Sequence, residues 1–420
     1  MNIAARALIV AHCLGLLACA TEEAGHEAAP AHKSPKLTWD QVALGCSIMG
    51  EGEAAHVMCS HGHALNLRSE NLHERWLYLK DKGVEKPNET ELMHAPASAG
   101  HADALPEPLT PILRARLGER VRLRVISYGP QFHTFHLHGH LWLEGGKAKD
   151  TQTMGPAEAY DFADFFAGAG ATSPVERAGV GDWMYHCHVE THAVTGMWGL
   201  FRVLAKDATT GLSTDGRFQH ELPLPLGGTG TTVDVWVVAA EAPIAVARAY
   251  LPGTKKLADV ERTARLFVPV EDEATFQAAT ANSIRTRLAP QKLTWTPWIL
   301  SLRQGTKVRV HLRNVMPASP VTLHPHGVAY KHEHDGTNPD DVAKPGGAAV
   351  VYEWGADTAG TWPLHDHAWA IENVGRGLFG AIVVKSAEEE AALQRDYLVI
   401  LHDFDMDWLM GLPEPSGASH

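Results

Sequence analysis

Trp183-Met184-Tyr185-His186-Cys187-His188-Val189-Glu190-Thr191-His192-Ala193-Val194-Thr195-Gly196-Met197-Trp198-Gly199 gathers a thiol, several imidazoles and a thioether into one short stretch. So dense a mixture of soft donors suits a redox-active metal, copper ahead of zinc or iron. One Cys, two His and a weak, distant Met form the ligand set of a blue-copper electron-transfer centre. Cys187, His192 and Met197 supply three of these, at the end of a strand and in the loop after it. On a strand, the residues before and after a given position point to the opposite face. His186 and His188 therefore face away from the blue site. They address a second metal site, connected to the first through the Cys187 side chain and the adjoining peptide links.

The fourth ligand comes from upstream, in Phe132-His133-Thr134-Phe135-His136-Leu137-His138-Gly139-His140. His136 and His138 share one strand face. His133 has the opposite parity and points back towards Cys187, completing the set His133, Cys187, His192 and Met197. His140 is left over and reads as structural rather than ligating. Before this segment, Ile112 to Leu117 and Val121 to Ile126 alternate apolar and charged residues at period two around a Gly118-Glu119 turn, as half-buried strands do.

The pattern then recurs. Pro297 to Val310 echoes Pro111 to Leu123, Gly118 matching Gly305 at an offset of 305 − 118 = 187. Leu323-His324-Pro325-His326-Gly327 repeats the His136/His138 motif. Gly360-Thr361-Trp362-Pro363-Leu364-His365-Asp366-His367 repeats Gly181 to His188, at an offset of 360 − 181 = 179. The chain is thus an internal duplication of a β-domain. Both copies keep the strand-face histidines: His136/His138 with His186/His188, and His324/His326 with His365/His367. The second copy loses the blue-site ligands. His133 aligns with Val321, Cys187 with Asp366 and His192 with Ile371, while Met197 falls near Gly375 or Arg376. Eight imidazoles in four His-x-His pairs suit three coppers with positions left for oxygen.

These motifs resemble the multicopper oxidase family at every ligand. The resemblance implies an all-β fold of two cupredoxin-like Greek-key sandwich domains and four coppers per active unit. Type 1 copper would take His133, Cys187, His192 and Met197. Type 2 would take His136 and His324. The type 3 pair would take His138, His186, His188, His326, His365 and His367. The order, with the His-Cys-His domain first, resembles two-domain oxidases, in which trinuclear sites form between domains of neighbouring chains in a homotrimer. The implied activity is one-electron oxidation of a small reductant (ferrous or cuprous ion, or phenols) coupled to reduction of dioxygen to water. Asp335, before Gly336, resembles the family's acidic residue near the trinuclear cluster and is the expected proton donor. The alternatives are a copper nitrite reductase-like enzyme, which would leave His188, His326, His365 and His367 unexplained, and a non-catalytic copper-binding or electron-transfer protein, which needs no eight-histidine face.

Length and composition set the frame. At 420 residues there is room for two or three cores, and 45% hydrophobic with 20% charged residues is ordinary for a globular protein. A net charge of −13 excludes a nucleic-acid partner. Residues 1–19 read as a signal peptide, with Arg6 before an apolar run too short to span a bilayer. Leu16-Leu17-Ala18-Cys19 resembles a bacterial lipobox, so the expected location is the bacterial cell envelope (periplasm, or lipid-anchored to the outer membrane) or secretion. Residues 20–36 form a flexible tether, 37–206 the first cupredoxin domain, 207–232 a linker, 233–386 the second and 387–420 a C-terminal extension. Asp396 to Asp405 in that extension resembles the opening strand of a further cupredoxin domain, with too little chain to complete one. It is expected as an added strand, within or between subunits, or as a simple tail. Leu67 to Lys82 reads as a short helix. Cys46 and Cys59 suit a disulfide, worth about 3 kcal/mol, or else a metal site with His56, His61 and His63.

Overall fold

Two β-sandwiches follow from the two copies of the strand pattern. The computed structural model describes residues 62–84, 92, 105–251, 254–405 and 408–409, with the backbone of Cys46–Met49 and His56–Cys59. The expected signal peptide and tether, and the side chains of Cys13, Cys19, Cys46 and Cys59, lie outside the described residues. The chain divides into one unit of Met1–Lys36 with Ile48–Val57, almost wholly outside the described residues, and one of Leu37–Ser47 with Met58–His420. Both sandwiches belong to the second unit. Among the described residues no helix is long and apolar enough to cross a membrane.

The first sandwich uses β1 (Gly62–Leu65), β2 (Ile112–Arg116), β3 (Arg120–Ser127), β4 (His133–Leu137), β5 (Thr151–Met154), β6 (Ala159–Asp161), β7 (Gly181–Cys187) and β8 (Trp198–Leu204). The second uses β9 (Thr232–Leu251), β10 (Lys256–Val270), β11 (Trp298–Arg303), β12 (Lys307–Asn314), β13 (His324–Pro325), β14 (Val350–Gly355), β15 (Gly360–His365) and β16 (Phe379–Lys385). A last strand, β17 (Arg395–Phe404), follows. Sheet orders are β5-β4-β7-β8-β2 and β6-β3-β17-β1 in the first sandwich, β11-β16-β15-β13 and β10-β9-β12-β14 in the second. Alternation does what it should: Leu113, Val121, Leu123 and Val125 enter one core with Phe135, Tyr185 and Phe201. Val308, Val310, Leu300 and Leu302 enter the corresponding core with Tyr352 and Trp354. The helix near the N-terminus spans Leu72–Asp81 (α1), shorter than Leu67 to Lys82, because Asn71 caps it by accepting from the His73 N–H.

The C-terminal extension is not an appendage. β17 lies between β3, to which it is parallel, and β1, to which it is antiparallel. In the second sandwich β9 occupies the same place, parallel to β12 and antiparallel to β10. The resemblance of this segment to an opening cupredoxin strand is therefore physical, but the domain it opens is the first one. Every residue of β17 is buried, with Tyr397, Val399 and Leu401 in the core of the first sandwich. Leu398, Ile400 and Phe404 face a third apolar cluster shared with Val238, Ala240 and Ile244 of β9. Both faces of both strands are covered, which is why they read as near-continuous apolar runs. Each fully buried Leu, Ile or Val contributes about 1.5–3 kcal/mol.

The duplication extends to close contacts. Gly139 (φ +69) lies under Trp183 and Gly327 (φ +65) under Trp362, where an added Cβ would come within 2.6 Å and 1.9 Å of the indole rings. Only glycine fits such left-handed, crowded positions. Asp182 serves the scaffold through a two-pronged ion pair with Arg202, at 2.6 and 2.9 Å.

Candidate metal centres

Strands β4 and β7 run side by side, and their register sets the sites: His186 pairs with His136 and Cys187 with Phe135. On one face, His133, Cys187 and His192 bring their donor atoms within 4.8 Å of one another, all buried. The Nδ1 atoms of His133 and His192 are 3.1 Å apart, and Cys187 Sγ is 3.9 and 3.6 Å from them. The Thr134 backbone N–H donates to the sulfur at 3.3 Å. Met197 is fully buried in the same apolar cluster as Cys187, its backbone tied to the Cys187 N–H and to the His192 carbonyl. Burial lowers the His133 and His192 imidazoles to about 3 and about 4, His192 adding to the shift at His133. Both rings are neutral at pH 7, with lone pairs available. Burial also pushes the Cys187 thiol above its ordinary value, so the thiolate would form there with a bound cation. A buried Cys and two neutral His aimed at one point fit a type 1 copper.

On the opposite face of the same strands lie His136, His138, His186 and His188. The first three form one donor cluster within 4.8 Å, and the His188 ring is 5.4 Å from that of His136. His138 Nε2 and His186 Nε2 are 3.2 Å apart. His136 Nδ1 donates to the Asp150 carbonyl and His186 Nδ1 to the Cys187 carbonyl, at 2.9 and 2.8 Å, which leaves Nε2 for a metal. Burial lowers His186 to about 4. His140 differs: its Nδ1–H donates to the His138 carbonyl and its Nε2 accepts from the Gly168 N–H, so both nitrogens are used and the ring is structural.

The second sandwich repeats this quartet. His324, His326 and His365 cluster within 4.8 Å, His326 Nε2 and His365 Nε2 are 3.2 Å apart, and His367 stands 5.2 Å from His324, ring to ring. His365 Nδ1 donates to the Asp366 carbonyl and His324 Nδ1 to the Asp335 carbonyl. The Asp335 carboxylate is 3.5 Å from His324. Burial raises this carboxyl, but hydrogen bonds from Thr337 and Tyr330 and the nearby His324 and His332 more than offset it, leaving it below the usual range. Among the described residues, no hydrogen bond or ring contact joins one quartet to the other within the chain. Glu190 is exposed, 3.8 Å from His188 Nδ1, and its charge adds to the upward push on the Cys187 thiol.

Backbone hydrogen bonds correct the alignment of the second copy with His133, Cys187, His192 and Met197. Asp366 N donates to Leu378 O as Cys187 N does to Met197 O, and Leu378 N to Asn373 O as Met197 N does to His192 O. Asn373 therefore takes the place of His192, not Ile371, and Leu378 that of Met197. The second loop is two residues longer, which the sequence offset could not reveal.

Two further residues stand by the His133, Cys187 and His192 cluster. Asp403 escaped sequence reasoning, and the sequence suggests His63 only for a different metal site with His56 and His61, whose side chains lie outside the described residues. His63 of β1 stacks on His192 with ring centroids 3.9 Å apart, and Asp403 of β17 lies 3.6 Å from His63 and 4.0 Å from His133. Burial raises the Asp403 carboxyl to about 7, the Gln131 backbone acting in the opposite sense. Nothing in the sequence around either residue connects it to His133 or His192. His402, alongside, is structural, its Nε2 accepting from the Leu67 N–H.

Residues 81–207 and 295–389 each match a family model described as multicopper oxidase. A probable nitrite reductase-hydroxylamine oxidoreductase fusion protein of Kuenenia stuttgartiensis is 34% identical over 120 residues, covering 28% of this chain and 12% of that protein. Hephaestin of Rattus norvegicus is 31% identical over 105 residues, 20% of this chain and 9% of its own length. The chain thus spans about an eighth or less of the length of these curated relatives. A solved multicopper oxidase from Campylobacter jejuni, described as a metallo-oxidase, is 22% identical with a TM-score of 0.26, over 42% of this chain and 32% of that one. With one match across each sandwich, the chain belongs to the multicopper oxidase family.

Proposed function

We propose that the protein oxidises a small reductant, one electron at a time, at a type 1 copper held by His133, Cys187, His192 and Met197, and reduces dioxygen at a trinuclear copper cluster held by the two histidine quartets. The balance for a ferrous substrate is four ferrous ions, one dioxygen and four protons to four ferric ions and two waters. The observation that carries this reading is the single strand β7. It presents Cys187 to one face and His186 to the other, with His186 Nδ1 bonded to the Cys187 carbonyl. When bound, the coppers would supply one-electron transfer at the first face and the four-electron chemistry of oxygen at the second.

The chain's own residues would do the rest. His136 and His324 would hold type 2 copper, and His138, His186, His188, His326, His365 and His367 the type 3 pair. The carbonyls of Asp150, Cys187, Asp335 and Asp366 fix ring orientation. Asp335, beside His324, would relay protons. Held below the usual range it is ionised at neutral pH, so each proton it delivers must first be taken from solvent. Since each quartet sits on its own sandwich, we infer a homotrimer in which one chain's first domain meets the next chain's second. Trp369 and Ile371, 49% and 96% exposed beside His367, support this as apolar surface awaiting cover. Export to the cell envelope, by residues 1–19, belongs to the same proposal.

Oxygen uptake by copper-loaded protein, with ferrous ion and with a phenolic dye, tests the proposal alongside the visible spectrum. A blue band with uptake is expected, and the faster reductant identifies the subclass. A blue band without uptake from any reductant would overturn the trinuclear site. Nitrite offered in place of oxygen tests the nitrite reductase reading, which leaves the second quartet without a use.

A further inference from the structure

The type 1 site is held by more than its ligands. His133 presents Nδ1 to the ligand cluster, so its proton is on Nε2. His133 Nε2 is buried with no hydrogen-bond partner at ordinary distance, and the buried Asp403 carboxylate has only the Gln131 backbone and the His63 ring, 3.6 Å away, beside it. His133 Nε2 and Asp403 Oδ2 lie 4.0 Å apart, in a region where each would otherwise carry the cost of lost hydration. The Tyr128 carbonyl is the other acceptor near this ring. Gly129 makes room for the carboxylate: a Cβ there would sit 2.5 Å from Asp403 Oδ2, and its φ of +101 disfavours any side chain.

The second sandwich supplies an internal control. Tyr128 N bonds Leu401 O as Val315 N bonds Ala239 O, which fixes the equivalence of β17 with β9. Asp403 then corresponds to Glu241, its cross-strand partner His63 to Arg265, and Gly129 to Met316. Arg265 pairs with Glu241 at 3.4 Å and donates to Asn373, the residue in the place of His192, at 2.6 Å. Where the copper ligands are lost, an Arg-Glu pair and a methionine stand. Where they are kept, His63, Asp403 and Gly129 stand. The three positions differ together with the ligands, which points to one device.

We infer that Asp403 is a positioning residue of the type 1 site: its carboxylate, delivered by the C-terminal strand, accepts the Nε2–H of His133 and holds the Nδ1 lone pair on the metal. Carboxylate–histidine pairing of this kind orients the ring and raises its basicity, favouring the more highly charged metal. The inference rests on the type 1 reading of His133, Cys187 and His192.

Asp403→Asn keeps the volume and an oxygen but removes the charge. In copper-loaded protein it is expected to shift the blue band and the copper hyperfine splitting, raise the type 1 reduction potential, and weaken Cu(II) binding about tenfold relative to Cu(I). Gly129→Ala, which displaces the same carboxylate without removing it, should move the potential in the same direction, and carries the test if Asp403→Asn does not fold. Glu241→Gln, the matched change in the second sandwich, should leave band and potential untouched. A blue wild type whose Asp403→Asn and Gly129→Ala variants keep its band, splitting and potential would overturn the inference and leave the Tyr128 carbonyl as the sole support. A wild type that binds copper without a blue band would overturn the type 1 reading and this inference with it.

Discussion

The two sandwiches share a strand plan and part company around the end of one strand. In the first, the strand end carries Cys187, whose sulfur receives backbone hydrogen bonds from Thr134 and Val189 and otherwise faces His133 and His192. In the second it carries Asp366, which is fully buried and filled on all sides. Its oxygens accept from the Thr322 N–H at 2.8 Å, the Trp369 N–H at 2.9 Å and the Asn373 side chain at 2.9 Å. A site with lone pairs left over for a metal has become one in which every polar atom is used. The same backbone can make an open cluster of donors or a rigid knot, and the donor count of a few side chains decides which. What both copies keep, the outward quartets, is what a shared cluster would need from each.

A second difference is where the strands come from. The second sandwich takes its adjacent pair from one continuous hairpin, β9 and β10. The first assembles its pair from the two ends of the described chain, β1 and β17. Ending the chain after Gln394 should therefore be the most damaging change of all. It removes a strand from the middle of a sheet together with its buried ion pair, Asp396 to Arg124 at 2.8 Å, and Asp403. The expected outcome is loss of the cooperative unfolding transition of the first sandwich and of all blue colour on copper loading, read by denaturation and visible spectroscopy. A truncated protein that stays blue would mean the strand is an addition after all. Next in size is Cys187→Ser, which should abolish the blue band and reduce oxygen uptake to background while the secondary structure persists by circular dichroism.

Much of this is legible in the sequence because it is local. Alternation marks β2, β3, β11 and β12, and the donors of His133, Cys187 and His192 converge as their spacing and parity require. What cannot be read depends on distant partners or on loop geometry. Nothing in Arg395 to Phe404 says whose sheet it joins, since a strand buried on both faces reads alike in any core. Helix α1 starts later than its apolar spacing predicts because Asn66 and Leu67 adopt positive φ, forming a turn that such spacing does not report. The two-residue insertion before Leu378 shows only in backbone hydrogen bonds. His63 and Asp403 meet across a register pairing that joins opposite ends of the described chain.

The knot in the second sandwich gives the next prediction. Asp366→Ala would leave the Thr322 and Trp369 amides and the Asn373 side chain without their acceptor in a fully buried place. Leaving buried donors unsatisfied costs about 1–3 kcal/mol each where nothing relaxes, and a net loss of about 3 kcal/mol is expected in chemical denaturation. The blue band should survive, since the first sandwich holds that site. Loss of the band as well would show that the two cores are less separable than their different chemistries suggest.

The smallest effect lies at the seam between the first sandwich and the C-terminal strand. Arg395 grips Glu119 through two hydrogen bonds, each 2.7 Å long, and Arg116 adds another at 2.9 Å. Burial raises the Glu119 carboxyl, but these hydrogen bonds more than offset it, and it titrates below the ordinary glutamate value, which is about 4.3. With its pKa depressed on folding, Glu119 stabilises the protein fully above the unfolded value. The contribution disappears as pH falls through the lower folded value. Glu119→Gln should therefore cost about 1–2 kcal/mol at pH 7, as loss of a charge-assisted hydrogen bond does. The gap between mutant and wild type should close only on the acid side of about pH 4. Denaturation across pH 3–7 measures it. A gap of constant size would mean that the Arg395–Glu119 contact acts as structural filling rather than as an ion pair.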